Sequence, residues 1–379
     1  MTNSTIGALN DKNLPTKSNF KQLSGLDALT GKSNFDISEW MLIHLLKHLT
    51  GHHAVLAMLC KTSVARKVLH YSWAKNFSIL KSSIYSIDAF KHFGVAVDAC
   101  LLVIILQPNA TSNECTVYSN LDAVDGMSAI GLRDGCLIAD LKLYVSYDHL
   151  SGTSSLRWRS GIKHDCARVM ELRRTEDGFV NKLGEHPELE STYIYPFFKS
   201  SHLANTNTAS PHYVIVTQQL VGEDTAPIKK CAPKTWSYLQ SHKKFFERRA
   251  STVYKNKPSF SIFGVGKYSF ASWKVAISGF YKRLNFCCVG PVDGKPTILD
   301  DTCYFMPCQS RHDAVALTKL LNSESSKQFF ASRVFWDTKR PITAHLLSNL
   351  NLEKLATEAG MLLTHKKGIV SVKNVSRLE

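Results

Sequence analysis

The sequence predicts an α/β fold: the latter half of a doubly wound sheet closing on an antiparallel strand pair, followed by a second, α+β domain. Three observations lead there. Helical and strand periodicities alternate over residues 34–106 in the order helix, strand, helix, strand, strand. The segment "AVLAMLC" is apolar on both faces, as a central strand covered by helices would be. Small polar residues cluster at Ser151–Ser155, and beyond them short strands and basic helical stretches replace the alternation.

The elements follow in order. "NFDISEWMLIHLLKHLTG" reads as a helix capped by Asn34, with Ile37, Met41, Leu45 and Leu49 on one buried stripe and Gly51 ending it. The strand "HAVLAMLC" follows, then the helix "KTSVARKVLHYSWAKN". Two further strands, "SILKSSIYSID" and "VAVDACLLVIIL", are separated by a loop holding Phe93 and Gly94. Only a polar loop precedes "AVLAMLC", so one neighbour of this central strand is expected from outside the chain. Turn-rich "QPNATSNE" and "DHLSGTSS" bracket strands such as "GCLIADLKLYVSY", which places domains at 1–152 and 153–379. The second domain should hold the strands "YVIVTQQL" and "FSIFGVG". A basic helix is expected at "SYLQSHKKFFERRAS", and further helices at "SRHDAVALTKLLNSESSKQFFASR" and "TAHLLSNLNLEKLATEA".

With 379 residues, 44% hydrophobic and 20% charged, the chain has the composition of a folded two-domain protein. Its net charge of +15 calls for an anionic partner, and nucleic acid precedes membrane because no basic amphipathic helix stands out. "MTNSTIGALNDKNLPTK" has no apolar signal-peptide core. The longest apolar run, Val95–Leu106, is interrupted by Asp98 and too short for a bilayer, so a cytoplasmic protein with no membrane contact is expected. Ten cysteines without a CxxC pair point to reduced thiols and no structural zinc. His44 and His48 have metal-ligand spacing on a helix, but the intervening residues lack the glutamate of a zinc hydrolase, so no metal is assigned. No nuclease-like cluster of carboxylates with a lysine is visible.

From Lys229 to Arg283 there are thirteen Lys or Arg residues and one acid, Glu247, interleaved with aromatics. That pattern suits a surface that neutralises phosphates, with Lys229, Lys230, Lys243, Lys244, Arg248, Arg249, Lys267, Lys274 and Lys282 as the DNA-binding candidates. In one continuous helix Lys244 would share a face with Arg248, and Phe245 with Arg249. Phe245 and Phe246 read as buried.

Several segments, in order, resemble motifs of one family. They are "GKSNFDISEWMLIHLLKHL", "HAVLAMLCKTSVARKVL", "IDAFKHFGVAVDACLLVI", "WRSGIKHDCARVMEL", "FGVGKYSFASWKVAISGFYK" and "KLLNSESSKQFFASRVFWDTKRPIT". The chain resembles the TaqI-like, gamma-type adenine-N6 DNA methyltransferases, from just after their catalytic tetrapeptide to their C-terminus. The resemblance implies the second half of a class I methyltransferase (Rossmann-like) sheet followed by a target-recognition domain, S-adenosylmethionine as cofactor, double-stranded DNA as partner and a place in restriction–modification. It also implies that Phe93 stacks on the extruded adenine and that Lys32 lies near the catalytic pocket. Two departures matter. The Asn-Pro-Pro-aromatic motif is absent, and no glycine-rich strand-to-helix turn exists to bind the cofactor; "FGVGKY" reads as a turn in the other domain. Because the chain opens "MTNS", like the family's stretch after the tetrapeptide, it is expected to be inactive alone and to need a complementary N-terminal half. The alternative is a non-catalytic, sequence-specific DNA-binding module.

Overall fold

The computed structural model describes residues 36–204 and 212–374. The chain divides into two compact units, Met1–Ser146 with Ala331–Thr338, and Tyr147–Phe330 with Lys339–Glu379. Mixed α/β structure with several sheets runs through them.

The first unit opens on helix α1 (Ile37–Leu49). Asn34 lies outside the described residues; the cap is Asp36, whose carboxylate accepts from the Ser38 amide at 3.1 Å and pairs with Lys61 at 3.1 Å. Gly51, at φ +86°, follows the last turn. The expected stripe is corrected: Leu42, Ile43 and Leu46 are buried, whereas Met41 and Leu45 are exposed. "WMLIHLL" is apolar nearly all round, and packing, not periodicity, chooses the face.

β1 (Ala54–Lys61), α2 (Thr62–Ala74) and β2 (Ile79–Asp88) make a strand–helix–strand unit. The one-turn helix α3 (Ala89–Phe93) then leads into β3 (Asp98–Leu106). β3 is antiparallel to both β1 and β2 and lies between them, so β1 and β2 run the same way. β4 (Glu114–Tyr118), parallel to β2, and the antiparallel strands β5 (Ser128–Arg133) and β6 (Cys136–Ile138) extend the sheet to the order β1-β3-β2-β4-β5-β6. Among the described residues β1 has one neighbour, and none of them pairs with its other edge, where a partner from outside the chain was expected. β1 is an edge strand paired only with β3, with Leu56 and Cys60 buried and Val55 and Leu59 exposed. A second correction concerns "GCLIADLKLYVSY": only Cys136–Ile138 is strand, and Leu141–Tyr147 is helix α4, started by Asp140 accepting from the Leu143 amide at 2.9 Å.

The core of this unit packs Leu42, Leu46, Val68, Leu69 and Trp73 onto Cys100, Leu102 and Ile104. Each such side chain contributes roughly 1.5–3 kcal/mol on burial. The returning segment Ala331–Thr338 straps the unit. Ser332 accepts from the amides of Ala139 and Asp140 at 2.8 and 3.0 Å. Asp337 pairs with Arg66 at 2.7 Å, while the Arg66 guanidinium lies 4.5 Å from the Phe335 ring.

The second unit holds two sheets. One joins β8 (Glu171–Thr175), β9 (Gly178–Asn181), β10 (Ile194–Phe198), β11 (His212–Ile215) and β14 (Ile298–Leu299) in the order β14-β10-β11-β8-β9. The other orders β13 (Cys287–Val289), β12 (Trp273–Ser278), β15 (Cys303–Cys308), β17 (Ile369–Asn374) and β16 (Met361–Lys366), with β7 (Arg159–Ser160) beside β15. "FSIFGVG", read as a strand, contributes only an isolated bridge between Phe263 and Lys163. Gly264 turns the chain there at φ +73°.

One buried charge organises β8. Glu171, nearly without exposure, meets Lys182 at 2.5 Å, Lys199 at 2.6 Å and His164 Nε2 at 3.4 Å. Burial alone would raise its pKa; the hydrogen bonds from His164, Lys182 and Lys199 outweigh that and hold the carboxyl well below the usual range.

Candidate functional site

Two surfaces carry the residues singled out by the sequence, one on each unit. On the first, β2 ends at Asp88, whose carboxylate accepts from the Lys91 amide at 3.0 Å and so starts α3. Gly94 ends it after one turn at φ +66°, and its amide donates to Phe90 O at 2.9 Å. Phe93 is therefore the last residue of a helical turn, not part of an open loop. Two rings are left in water: Phe90 at 72% exposure and Phe93 at 52%. Phe90, which sequence reasoning passed over, lines a cleft of about 430 Å³ with Thr62, Ser86, Asp88, Val97 and Asp98; Phe93 is not among its lining residues. Asp88 and Asp98 face each other as partners at the end of the β2–β3 ladder. The signal for Phe90 was present, since Asp88 and Lys91 have cap spacing and Phe90 sits one turn before Phe93.

Lys32 lies outside the described residues. His44 of the α1 pair packs its ring 4.1 Å from that of Trp40.

The described residues do not fit S-adenosylmethionine. Of the β–α junctions of the first sheet, Lys61–Thr62 has neither a glycine nor a side-chain cap, and Asp88–Ala89 opens a helix of only one turn. The glycines of "FGVG" precede a four-residue 3₁₀ turn, Lys267–Phe270, where no helix of useful length presents its amides.

On the second unit the basic stretch is broken at His242 into α5 (Pro233–Ser241) and α6 (Lys243–Glu247). The His242 ring bonds to Tyr238 O at 2.8 Å and to Glu185 at 2.8 Å. Phe246 is buried and Phe245 partly so, packed on the sheet that contains β8. Lys229, Lys230, Lys243, Lys244, Arg248, Lys267 and Lys282 are exposed. Lys243 faces Glu247 at 3.7 Å.

Two of the nine candidates are corrected. The Arg249 guanidinium donates to the carbonyls of Phe246, His164 and Ser261 at 3.0, 3.2 and 2.6 Å and lies 3.7 Å from the Tyr254 ring centroid. It braces the inside of the unit, with Nε and Nη1 engaged by backbone carbonyls. Lys274, the second residue of β12, is 0% exposed, and its ammonium donates to Thr297 O at 2.9 Å and to Ala271 O. A phosphate cannot reach it.

Burial pushes the pKa of Lys274 down to about 7. A base whose folded pKa lies below its unfolded value, about 10.4, gives the unfolded chain the greater proton uptake between the two. Stability therefore rises with pH from about 7, by up to about 1.4 kcal/mol per unit, before cysteine ionisation intervenes near 8.5. Urea unfolding at neutral and mildly alkaline pH should show this slope in the wild type and its loss in Lys274→Met. Equal slopes in the two proteins would remove Lys274 as its source.

Comparison with known proteins gives the following. No family model matches the chain. The type II methyltransferase M.NspV of Nostoc sp. is 47% identical over 358 residues, covering 94% of this chain and 74% of that protein. Among solved structures, the type IIL restriction-modification enzyme MmeI, in complex with DNA, aligns at TM-score 0.49 and 15% identity, covering 84% of this chain and 42% of that one. The type IIG restriction endonuclease BpuSI aligns at TM-score 0.33 and 12% identity, covering 87% and 43%. The chain thus spans about two fifths of the length of those two enzymes. Identity of 47% across nearly the whole chain is far more than a shared fold requires, and on it the chain belongs to the type II methyltransferases.

Proposed function

We propose that this chain carries the base-holding and target-recognition parts of site-specific DNA adenine-N6 methylation from S-adenosylmethionine. The observation that carries the reading is the pair of exposed rings on α3, beside a cleft, in a type II methyltransferase. A stacked adenine hides its amino group, so the base must leave the helix and rest against an aromatic face. Phe93 was expected in that role; Phe90, more exposed and lining the cleft, shares the proposal. The order β1-β3-β2, with β1 and β2 parallel and an antiparallel strand between them, is consistent with the closing half of a Rossmann-like sheet. The exposed cations of the second unit supply phosphate contacts for a recognition domain.

Transfer also needs the adenine nitrogen held in line with the methyl carbon. Neither an Asn-Pro-Pro-aromatic motif nor a cofactor cradle is offered by the residues described. On this reading the chain alone does not methylate, and the missing groups come from a complementary N-terminal methyltransferase segment that completes the β1 edge.

The test is transfer of labelled methyl groups to unmethylated genomic DNA by the chain alone and with the N-terminal segment of M.NspV. Methylation is expected only in the mixture, and Phe90→Ala or Phe93→Ala should lower it roughly 5- to 100-fold, the worth of one stacked base. Turnover by the chain alone would overturn the dependence. DNA binding without transfer in the mixture would favour the second reading, a sequence-specific DNA-binding module. The exposed cations of the second unit support that reading independently.

A further inference from the structure

β12 leaves its sheet at Ser278 and the chain re-enters as β13 at Cys287, and the connection carries Phe280, Tyr281, Lys282 and Arg283 in succession. Both rings are 39% exposed, and both cations are exposed. The backbone beneath them is fixed. Ser278 Oγ accepts from the amides of Phe280 and Tyr281 at 3.2 Å each. Gly279 donates to Thr302 O at 2.8 Å, and Arg283 to Tyr281 O at 2.8 Å. A Cβ at Gly279 would lie 2.9 Å from that Thr302 oxygen, so only glycine lets the chain pass this close to the β15 side. Arg340 lies 4.7 Å from the Phe280 ring centroid, bracing it from behind.

We propose that this connection is a DNA-contacting wedge, in which Phe280 and Tyr281 rest against bases or sugars in a groove and Lys282 and Arg283 neutralise the flanking phosphates. The inference rests on the DNA reading above and adds the element that meets the duplex. Two adjacent, partly exposed rings on a fixed turn suit insertion at a base step of the duplex, where an apolar side chain unstacks neighbouring bases and rests on the face so exposed. The sequence carries no acid from Arg248 to Val292, so the positive charge of this stretch is not offset along the chain, which suits a polyanionic partner.

The full chain would be mixed with a duplex pool of randomised sequence carrying 5-bromodeoxyuridine in place of thymidine, irradiated, and its crosslinks mapped by mass spectrometry. A crosslink at Phe280 or Tyr281 is expected. Phe280→Ala with Tyr281→Ala should weaken binding to the pool roughly 5- to 100-fold. Lys282→Ala with Arg283→Ala should reduce the slope of log affinity against log salt by about 1.8, the value for two phosphates. If the aromatic pair alters the melting temperature, the crosslink map and the salt slope of the folded cation pair still decide the matter. Binding with crosslinks only elsewhere, and an unchanged slope, would overturn the wedge while leaving the DNA reading intact. Failure of the wild-type chain to bind the pool at low salt would overturn the DNA reading and the wedge with it.

Discussion

Glu171→Ala is expected to destabilise the second unit by roughly 3–5 kcal/mol, the range for removing one partner from a buried ion cluster. Lys182 and Lys199 keep some access to water and can be partly resolvated. His164 cannot. Its Nδ1 accepts from the Cys166 amide at 3.1 Å, so the proton sits on Nε2 and points at Glu171. Without the carboxylate that buried N–H has no acceptor. The pH dependence carries the same signature. The folded pKa of Glu171 is depressed, so its contribution is present above the unfolded carboxyl value and is lost as pH falls below about 4.5 toward the folded value. Hydrogen exchange of the β8 and β11 amides at neutral pH measures the loss directly. Protection within a factor of a few of wild type would show that the cluster does not hold the sheet.

Gly161→Ala is the second large effect, expected at roughly 3 kcal/mol or more. An added Cβ would fall on the carbonyl oxygens of Leu299 and Asp300, well inside contact distance. Those oxygens cannot retreat freely, because Leu299 O accepts from the Ile162 amide at 2.7 Å and Gly161 itself donates to Cys303 O at 3.1 Å. Relief requires parting residues 160–162 from the turn between β14 and β15. Gly222→Ala is the control. Its Cβ meets nothing within 4 Å and only the backbone at φ +84° resists, so about 1–2 kcal/mol is expected. Urea titrations of the two variants should separate them clearly; similar midpoints would mean that the contact at Gly161 relaxes cheaply.

The run from α1 to β3 was legible because each element is long, and because glycines and polar caps punctuate it. What the sequence leaves open is chiefly non-local. "AVLAMLC" is equally apolar on both faces at an edge or at a centre, and only its partners decide; the structure gives it β3 alone. "DLKLYVSY" alternates well enough for a strand yet forms α4, since a seven-residue segment satisfies either period. The basic stretch showed how much positive charge is present, not where it points. Arg249 and Lys274 count toward the same total as Lys244 and Arg248, but Nε and Nη1 of Arg249 and the ammonium of Lys274 are bonded to backbone carbonyls inside the unit. At the candidate site the sequence pointed to the turn after β2 and to Phe93, and passed over Phe90. The relative exposure of Phe90 and Phe93 depends on α3 being a helix, which a five-residue stretch does not announce.

The strap at Ala331–Thr338 makes the first unit discontinuous in sequence. Recombination at a single junction cannot separate the two units cleanly. A crossover near residue 146 that replaced everything downstream would discard Asp337 and Phe335, leaving the buried Arg66 without its ion pair and its ring. Nor can the segment between Tyr147 and Phe330 be exchanged by itself, because β16 and β17 lie beyond the strap and β17 pairs with β15, with the Val372 amide donating to Asp313 at 2.7 Å. Each unit is thus closed by chain that lies on the far side of the other's main segment, and the two are inherited together.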